Sequence, residues 1–270
     1  RNKFKSAALN AEFKMEDLVP FLDTTKTNVL IAGSLDDKFA LQFVRAISAY
    51  PKKGIIQVIG MPGIRYQGFS EHGINAMLKD IQSGIAKDGF QDTQSVSAYL
   101  SISGGGDNGA FGAGLLTGWT ERGDRPVFNL VTGVSTGALI APFAYLGPDY
   151  DYVLKRVYTE IKADDIFINL GLMGALFGDS LADTTPLYRL ISEYVDEQLL
   201  EKIAYEYQIH NRWLLVATTN LDAGTPAIWN MGKLAAVGTP ESLKLFRKIL
   251  LASAAIPGAF PPVMIDVEAE

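Results

Sequence analysis

The sequence predicts an α/β fold in three layers, with a mostly parallel central sheet covered by helices on both faces. Strand-like runs alternate with helical segments along the chain, which is typical of parallel sheets with helical crossovers. Two of the predicted strands run into glycine-rich loops that open helices, the arrangement in which α/β sheets place their functional sites. The 270 residues are 48% hydrophobic and 20% charged, so they allow a sizeable core and exclude disorder as the main state.

The first 94 residues are predicted to form an N-terminal β–α–β attachment, with residues 95–270 as the main domain. Short apolar strands bracket a helix whose apolar side chains recur at helical spacing, and a further amphipathic helix follows. The strands are predicted over residues 28–32 and 55–59, and the helices over residues 36–50 and 71–87.

The main domain repeats a strand–loop–helix pattern. Apolar and polar side chains alternate over residues 96–102, which indicates a strand, and a helix of small residues is predicted over 110–122. A strand over 127–131 leads into a second helix, which Pro142 is expected to disturb near its first turns. The later elements are a strand over 212–219, a turn over 220–224, a helix over 241–253 and a strand-like run over 263–265.

A G-x-S-x-G motif, Gly133 to Gly137, lies between a strand and a helix, the context in which it marks a nucleophilic serine. The two glycines permit a sharp turn that exposes Ser135, and the following helix directs its N-terminal N–H groups at this residue. The alternative is a serine that only caps the helix between two packing glycines. The strand and helix on either side favour Ser135 as a nucleophile.

Three consecutive glycines follow the preceding strand, Gly104, Gly105 and Gly106. Without Cβ atoms in the way, their N–H groups can approach a ligand and stabilise an oxyanion. Together with Gly109 the loop also fits the G-x-G-x-x-G pattern of dinucleotide-binding folds, which expects an acidic residue near the end of the next strand. Glu121 and Asp124 precede that strand instead, so the loop is predicted to be an oxyanion loop.

Residue counts exclude several kinds of chemistry. The chain has no cysteine and two histidines, which excludes disulfides, a cysteine nucleophile and thiolate or histidine-rich metal sites, and no cofactor is expected. His210, the one histidine after Ser135, lies just before a strand, so it is expected at the opposite edge of the sheet in a surface or capping role. The net charge of −6 argues against a nucleic-acid partner.

The two glycine motifs and a later block, Ala252-Ser253-Ala-Ala-Ile-Pro257 with Phe260-Pro-Pro262, resemble the patatin-like phospholipase family in this order. The stretch 60–65, together with 112–116 and 141–143, is similar to bacterial exported, often lipoprotein-type members. The resemblance implies a serine lipid acyl hydrolase of phospholipase A, lysophospholipase or carboxylesterase type, with a Ser–Asp dyad and no catalytic histidine. It further implies Ser135 as nucleophile, an acyl-ester or lipid substrate, peripheral membrane contact, and a location in the cell envelope or outside the cell.

The sequence departs from the family where the catalytic aspartate is expected, in an Asp-Gly turn after the Pro-Pro strand. No such turn follows Pro262, Asp266 is not followed by glycine, Asp88 precedes the nucleophile, and Asp222 lies in an earlier turn. The resemblance therefore implies that the aspartate lies beyond Glu270 and that the hydrolase domain is incomplete at this end. A non-catalytic binding or scaffold protein stays open as an alternative, as does acyl transfer to an alcohol.

Two further segments bear on the substrate and the membrane. Asp107 and Asn108 stand where many family members carry a lysine or arginine, which leaves neutral esters and lysolipids as open as phospholipids. The uncharged run 166–178 is too short to span a bilayer, so it is either a lid or acyl-chain wall or a buried helix and loop. The longest uncharged stretch, 126–148, is too polar and interrupted for a transmembrane helix.

Overall fold

The computed structural model describes residues 27–32, 56–57, 64–67, 71–87, 97–161, 168–169, 182–256, 260–265 and 268–269. The strands of this part of the chain are β1 (Thr27–Ala32), β2 (Ile56–Gln57), β3 (Arg65–Gln67), β4 (Ser97–Ile102), β5 (Leu130–Val134), β6 (Ile168–Asn169), β7 (Ala182–Asp183), β8 (Trp213–Asn220), β9 (Thr225–Asn230) and β10 (Glu268–Ala269). The helices are α1 (Glu71–Lys87), α2 (Gly109–Arg122), α3 (Thr136–Leu146), α4 (Asp151–Thr159), α5 (Thr185–Tyr194), α6 (Glu197–Ile209), α7 (Met231–Ala235) and α8 (Pro240–Ala254). Short 3₁₀ helices span Gly106–Asn108 and Pro148–Tyr150.

The central sheet has six strands in the order β1-β4-β5-β8-β9-β3. Strands β1, β4, β5 and β8 run parallel, whereas β9 is antiparallel to both β8 and β3. In the middle of the sheet Gly133 pairs with Ile102 of β4, and Val134 pairs with Ala217 of β8. The carboxyl ends of β4 and β5 therefore lie side by side at one edge, and the predicted mostly parallel α/β sheet is confirmed.

Apolar side chains of the sheet supply a hydrophobic core on each face. In β8, Leu214 and Val216 point into the larger core, which α2 to α8 cover, while Leu215 and Ala217 point the other way. Met77 of α1 packs in that second core. Burial on both faces explains why β8 is apolar without interruption from Trp213 to Ala217, and the predicted three-layer arrangement is confirmed.

Helix α8 packs in the larger core, and its first turn is capped from its own sequence. The Thr239 side chain accepts a hydrogen bond from the N–H of Ser242, whose side chain in turn accepts one from the N–H of Thr239. Phe246 and Ile249 are fully buried on the inner face of the helix. This anchored helix ends at Ala254, beside the site described below.

The described strands of the first 94 residues do not follow the expected β–α–β pairing. β1 joins the central sheet beside β4, and β3 forms its other edge beside β9. β2 instead pairs antiparallel with β10 in a separate two-stranded sheet. The expected helix over 36–50 lies outside the described residues, and the division into an attachment and a main domain stays a prediction.

Three local expectations in the main domain are wrong. The strand predicted over 127–131 begins only at Leu130, because Val127 is exposed and Asn129 takes the N–H of Ala98 with its side-chain oxygen, while its own N–H donates to the Ala98 carbonyl. Pro142 does not disturb the first turns of α3, which runs through it to Leu146. Residues 263–265 are not a strand. Val263 and Ile265 pack against the larger core while Met264 is exposed, and Lys248 of α8 donates to the carbonyl of Met264.

Candidate active site

Ser135 occupies a strained turn between β5 and α3. Its φ of 55° and ψ of −127° lie in a region that residues with a Cβ rarely adopt. It stands at the N-cap position of α3, yet its side chain makes no capping hydrogen bond. The alternative of a serine that serves only as a helix cap is therefore not supported, and the half-buried hydroxyl sits at the positive end of the α3 dipole.

The two glycines of the motif bring α3 into direct contact with the sheet. A Cβ at Gly137 would overlap the carbonyl oxygens of Ile102 and Ser103, and a Cβ at Gly133 would overlap the carbonyl oxygen of Gly137. The first turn of α3 is thus pressed against the end of β4, where the backbone continues into residues 104–106. Close backbone packing explains why both positions need glycine.

The predicted oxyanion loop follows β4 at the same edge of the sheet. Gly104 is buried, whereas Gly105 and Gly106 are exposed and have φ values of 142° and 53°. The N–H of Asn108 donates to the carbonyl of Gly105 at 3.0 Å and closes a tight turn. The structure therefore places the three glycines and Ser135 at the ends of neighbouring strands, as the sequence predicts.

A half-buried tyrosine that the sequence analysis did not single out ties three helices together beside this edge. The Tyr158 hydroxyl of α4 hydrogen bonds to Thr136 Oγ1 at 2.7 Å, and both side chains pack against Gly109 at the start of α2. Burial raises the pKa of Tyr158 to about 12, partly offset by the hydrogen bond with Thr136. The phenol is therefore neutral at physiological pH and can serve as a hydrogen-bond partner of Thr136.

Ser253, at the end of α8, contacts the backbone of the candidate nucleophile. The N–H of Ser135 donates to Ser253 Oγ at 2.9 Å across 118 residues of sequence. The Ser253 hydroxyl in turn donates to the carbonyl of Ala217 on β8 at 2.7 Å. In the sequence, Ser253 is part of the block from Ala252 to Pro262 that resembles the family, and no local pattern indicates its contact with Ser135.

His210 and the aspartates named in the sequence analysis either lie on the surface or fall outside the described residues. His210 follows α6 on the surface, with its ring 5.4 Å from that of Tyr205, so its predicted surface role is confirmed. Asp107 and Asp222 are exposed in turns, and Asp88 and Asp266 fall outside the described residues. The aspartate expected beyond Glu270 stays a prediction.

A family comparison covers the part of the chain that holds this edge of the sheet. A model of the patatin-like phospholipase family matches residues 100–269, a segment that holds both glycine motifs and Ser253. The chain belongs to the patatin-like phospholipase family. Patatin-like proteins are hydrolases that act on lipid substrates, and their fold is the three-layer α/β arrangement described above. No curated protein matches this patatin-like chain.

Within the part of the chain that the structure describes, none of the helices combines the length and apolar character needed to cross a bilayer. Most of the run 166–178 falls outside the described residues, apart from β6. The roles predicted for this run, and the location in the cell envelope or outside the cell, stay predictions.

Proposed function

We propose that this chain is a serine lipid acyl hydrolase in which Ser135 forms an acyl-enzyme. The observation that carries the proposal is the conformation of Ser135, a non-glycine residue held at a φ of 55° before a buried helix, with its hydroxyl unused for capping. Strain of this kind costs about 1–3 kcal/mol and is characteristically retained where a side chain must be presented for function. Membership of the patatin-like phospholipase family supports the same reaction class.

In the proposed reaction, Ser135 Oγ attacks the carbonyl carbon of an ester while its proton moves to a carboxylate base. The bond to the leaving alcohol then breaks, the alcohol takes up that proton, and water hydrolyses the acyl-enzyme. The N–H groups of residues 104–106 and the first turn of α3 are proposed to stabilise the oxyanion, each donor being worth about 3–4 kcal/mol. The N–H of Ser135 itself is not proposed as a donor, because it is bonded to Ser253.

The base of the proposed Ser–Asp dyad is an aspartate beyond Glu270. This assignment rests on the family resemblance and on the absence of an Asp-Gly turn after Pro262. Among the described residues, Ser135 has no hydrogen bond to a carboxylate that could replace it. An unpaired, partly buried carboxylate with a raised pKa would suit the role of base.

The proposed substrates are acyl esters of phospholipids, lysolipids or neutral lipids, reached by peripheral contact with a lipid surface. Asp107 and Asn108 leave the loop without a cation for a phosphate headgroup. Helix α2, which begins directly after the loop, carries Phe111 and Leu115 on its surface with 67% and 39% of their areas exposed. Exposed apolar side chains next to the predicted oxyanion loop support contact with lipid.

Covalent trapping tests the proposed nucleophile. We expect the full-length protein to hydrolyse a short-chain nitrophenyl ester and to react with an alkyl fluorophosphonate, with Ser135 Oγ displacing fluoride from phosphorus. Peptide mass spectrometry should place the adduct on Ser135. Labelling at another serine, or neither turnover nor labelling, would contradict the proposal, and the second outcome would favour a non-catalytic scaffold. Product analysis with an added alcohol separates hydrolysis from acyl transfer.

Vesicle co-sedimentation tests the proposed lipid contact. We expect the protein to sediment with phosphatidylcholine vesicles and Phe111→Asn to weaken this binding about tenfold, since an exposed phenyl ring that enters lipid contributes on the order of 1–3 kcal/mol. Val127→Asn is the control, because Val127 is 71% exposed but precedes β5 at the opposite edge of the sheet. Absence of sedimentation, or equal effects of the two substitutions, counts against contact through α2.

A further inference from the structure

The Ser253 hydroxyl connects three elements at the candidate active site. It accepts a hydrogen bond from the N–H of Ser135 at 2.9 Å and donates to the carbonyl of Ala217 at 2.7 Å. Ala217 lies on β8 and pairs with Val134, the residue before the candidate nucleophile. Ser253 itself is in the last turn of α8, so one hydroxyl links the end of this helix, the middle of β8 and the turn that holds Ser135.

The direction of these hydrogen bonds restricts what Ser253 can do. An N–H group only donates and a carbonyl only accepts, so the Ser253 proton is directed at Ala217 and its oxygen accepts from Ser135. The single proton of Ser253 is thereby engaged and is not aimed at the Ser135 hydroxyl. Ser253 is consequently neither a second nucleophile nor a proton donor to the reacting atoms in this arrangement.

We propose that Ser253 is a positioning residue that holds Ser135 in its reactive conformation. The proposal rests on the proposed role of Ser135 as nucleophile. On the carbonyl side, Ser135 is held by the N–H of Ala138, which donates to its oxygen at 2.9 Å. On the amide side, among the described residues, Ser135 is held by the hydrogen bond from its N–H to the Ser253 hydroxyl. A backbone at a φ of 55° persists only where its surroundings fix it, so loss of the amide anchor frees the turn to relax.

The contact also fixes how the oxyanion site is assembled. Many serine hydrolases use backbone N–H groups near the nucleophile as donors, but here the N–H of Ser135 is turned toward Ser253. This orientation assigns oxyanion binding to other donors and gives the Ser135 amide the purely structural task of setting the direction of its side chain. Since a misplacement of about 1 Å can cost roughly 10²-fold in rate, the direction of the Oγ–Cβ bond matters for the chemical step.

Kinetics of Ser253 variants of the full-length protein test the proposal. We expect Ser253→Ala to lower kcat for a nitrophenyl ester about 10²-fold while KM changes by less than about threefold. Ser253→Thr keeps the hydroxyl and should regain most of the lost kcat. The pH profile should keep its shape in both variants, because Ser253 positions the nucleophile and does not exchange protons with it. A shifted acid limb, or a loss confined to KM, would overturn the positioning role.

Ser242→Ala is the matched control for a merely structural effect. Ser242 lies on the same helix and is buried, but its hydroxyl completes the capping box with Thr239 at the far end. We expect this change to lower thermal stability while kcat per folded molecule stays unchanged. Ser253→Cys, which keeps the shape of the side chain but replaces the hydroxyl with a larger, weakly hydrogen-bonding thiol, provides a second variant should Ser253→Ala fold poorly. We expect an intermediate loss of about tenfold in kcat. Unchanged kcat in Ser253→Cys would contradict the proposal.

Amide hydrogen exchange separates this proposal from the proposed hydrolase function. Loss of the Ser253 hydroxyl should speed exchange at the Ser135 N–H about tenfold or more, with amides late in α3 unaffected. If the wild-type protein hydrolyses no ester but the variant shows faster exchange, the hydrolase proposal fails and the role of Ser253 in holding the turn stands. If the wild type is active and Ser253→Ala keeps both its kcat and its protection, the Ser253 proposal fails and the hydrolase proposal stands.

Discussion

Replacing Ser135 with alanine is expected to lower kcat for ester hydrolysis by at least about 10³-fold, since loss of a serine nucleophile removes the covalent route. The same change should leave the free energy of unfolding within about 0.5 kcal/mol, because the hydroxyl makes no capping hydrogen bond. Nitrophenyl ester turnover and urea denaturation measure the two effects. Ser83→Ala, an exposed serine on α1, serves as the control and should change neither.

A second substitution at Ser135 measures the strain of the turn. Glycine tolerates a φ of 55° without the Cβ penalty that serine and alanine both bear at this position. Ser135→Gly should therefore be as inactive as Ser135→Ala but more stable by about 1 kcal/mol, the relieved strain less the added chain entropy. Equal stability of the two variants would argue against stored strain, and substantial activity in either one would remove Ser135 as the nucleophile.

Local signals account for the part of the site that the sequence predicts correctly. Glycines at fixed spacing after apolar strands encode the turn at Ser135, because the backbone geometry there depends on residues next to each other in sequence. The same holds for the three glycines after β4. The strand–helix alternation predicts that β4 and β5 run parallel, and parallel neighbours place both loops at the same edge of the sheet.

Contacts between distant segments account for what the sequence does not predict. The hydrogen bond from Ser135 to Ser253 joins residues 118 apart, and the one from Thr136 to Tyr158 joins different helices. β9 is also missing from the predicted elements, although it pairs with β8 along its whole length. Pro226 lies opposite Thr219 of β8 and precedes Ala227, where the pairing with β3 starts.

Misplaced elements have a similar cause in tertiary packing. Val127 and Phe128 are both apolar, so the hydrophobic pattern predicts that the strand begins at Val127. In the structure Phe128 is buried, whereas Val127 is exposed. Pro142 is tolerated inside α3 because that helix is buried along most of its length, and its packing outweighs the lost hydrogen bond. Whether a residue is buried depends on contacts with residues distant in sequence, and the periodicity of a single segment contains no information on such contacts.

Gly137→Ala is expected to damage both folding and catalysis, because no space exists for a Cβ between α3 and β4. The added methyl group would overlap the carbonyl oxygens of Ile102 and Ser103, which belong to the backbone and cannot rotate away. We expect the free energy of unfolding to fall by about 2–3 kcal/mol or more, the cost of overpacking at a rigid contact. Urea denaturation followed by circular dichroism measures this loss.

Gly137→Ala should also lower activity, because the added methyl group forces the first turn of α3 away from β4. Displacing its first turn from β4 separates Ser135 from residues 104–106, and a shift of about 1 Å between reacting groups costs roughly 10²-fold in kcat/KM. Gly118→Ala is the control, because Gly118 lies in α2 with no atom within 4 Å of a Cβ placed there. Alanine at that site should stabilise the helix by about 0.5–1 kcal/mol and leave kcat/KM unchanged. If Gly137→Ala matches Gly118→Ala in stability and turnover, the close contact between α3 and β4 cannot be what aligns the nucleophile with the glycine loop.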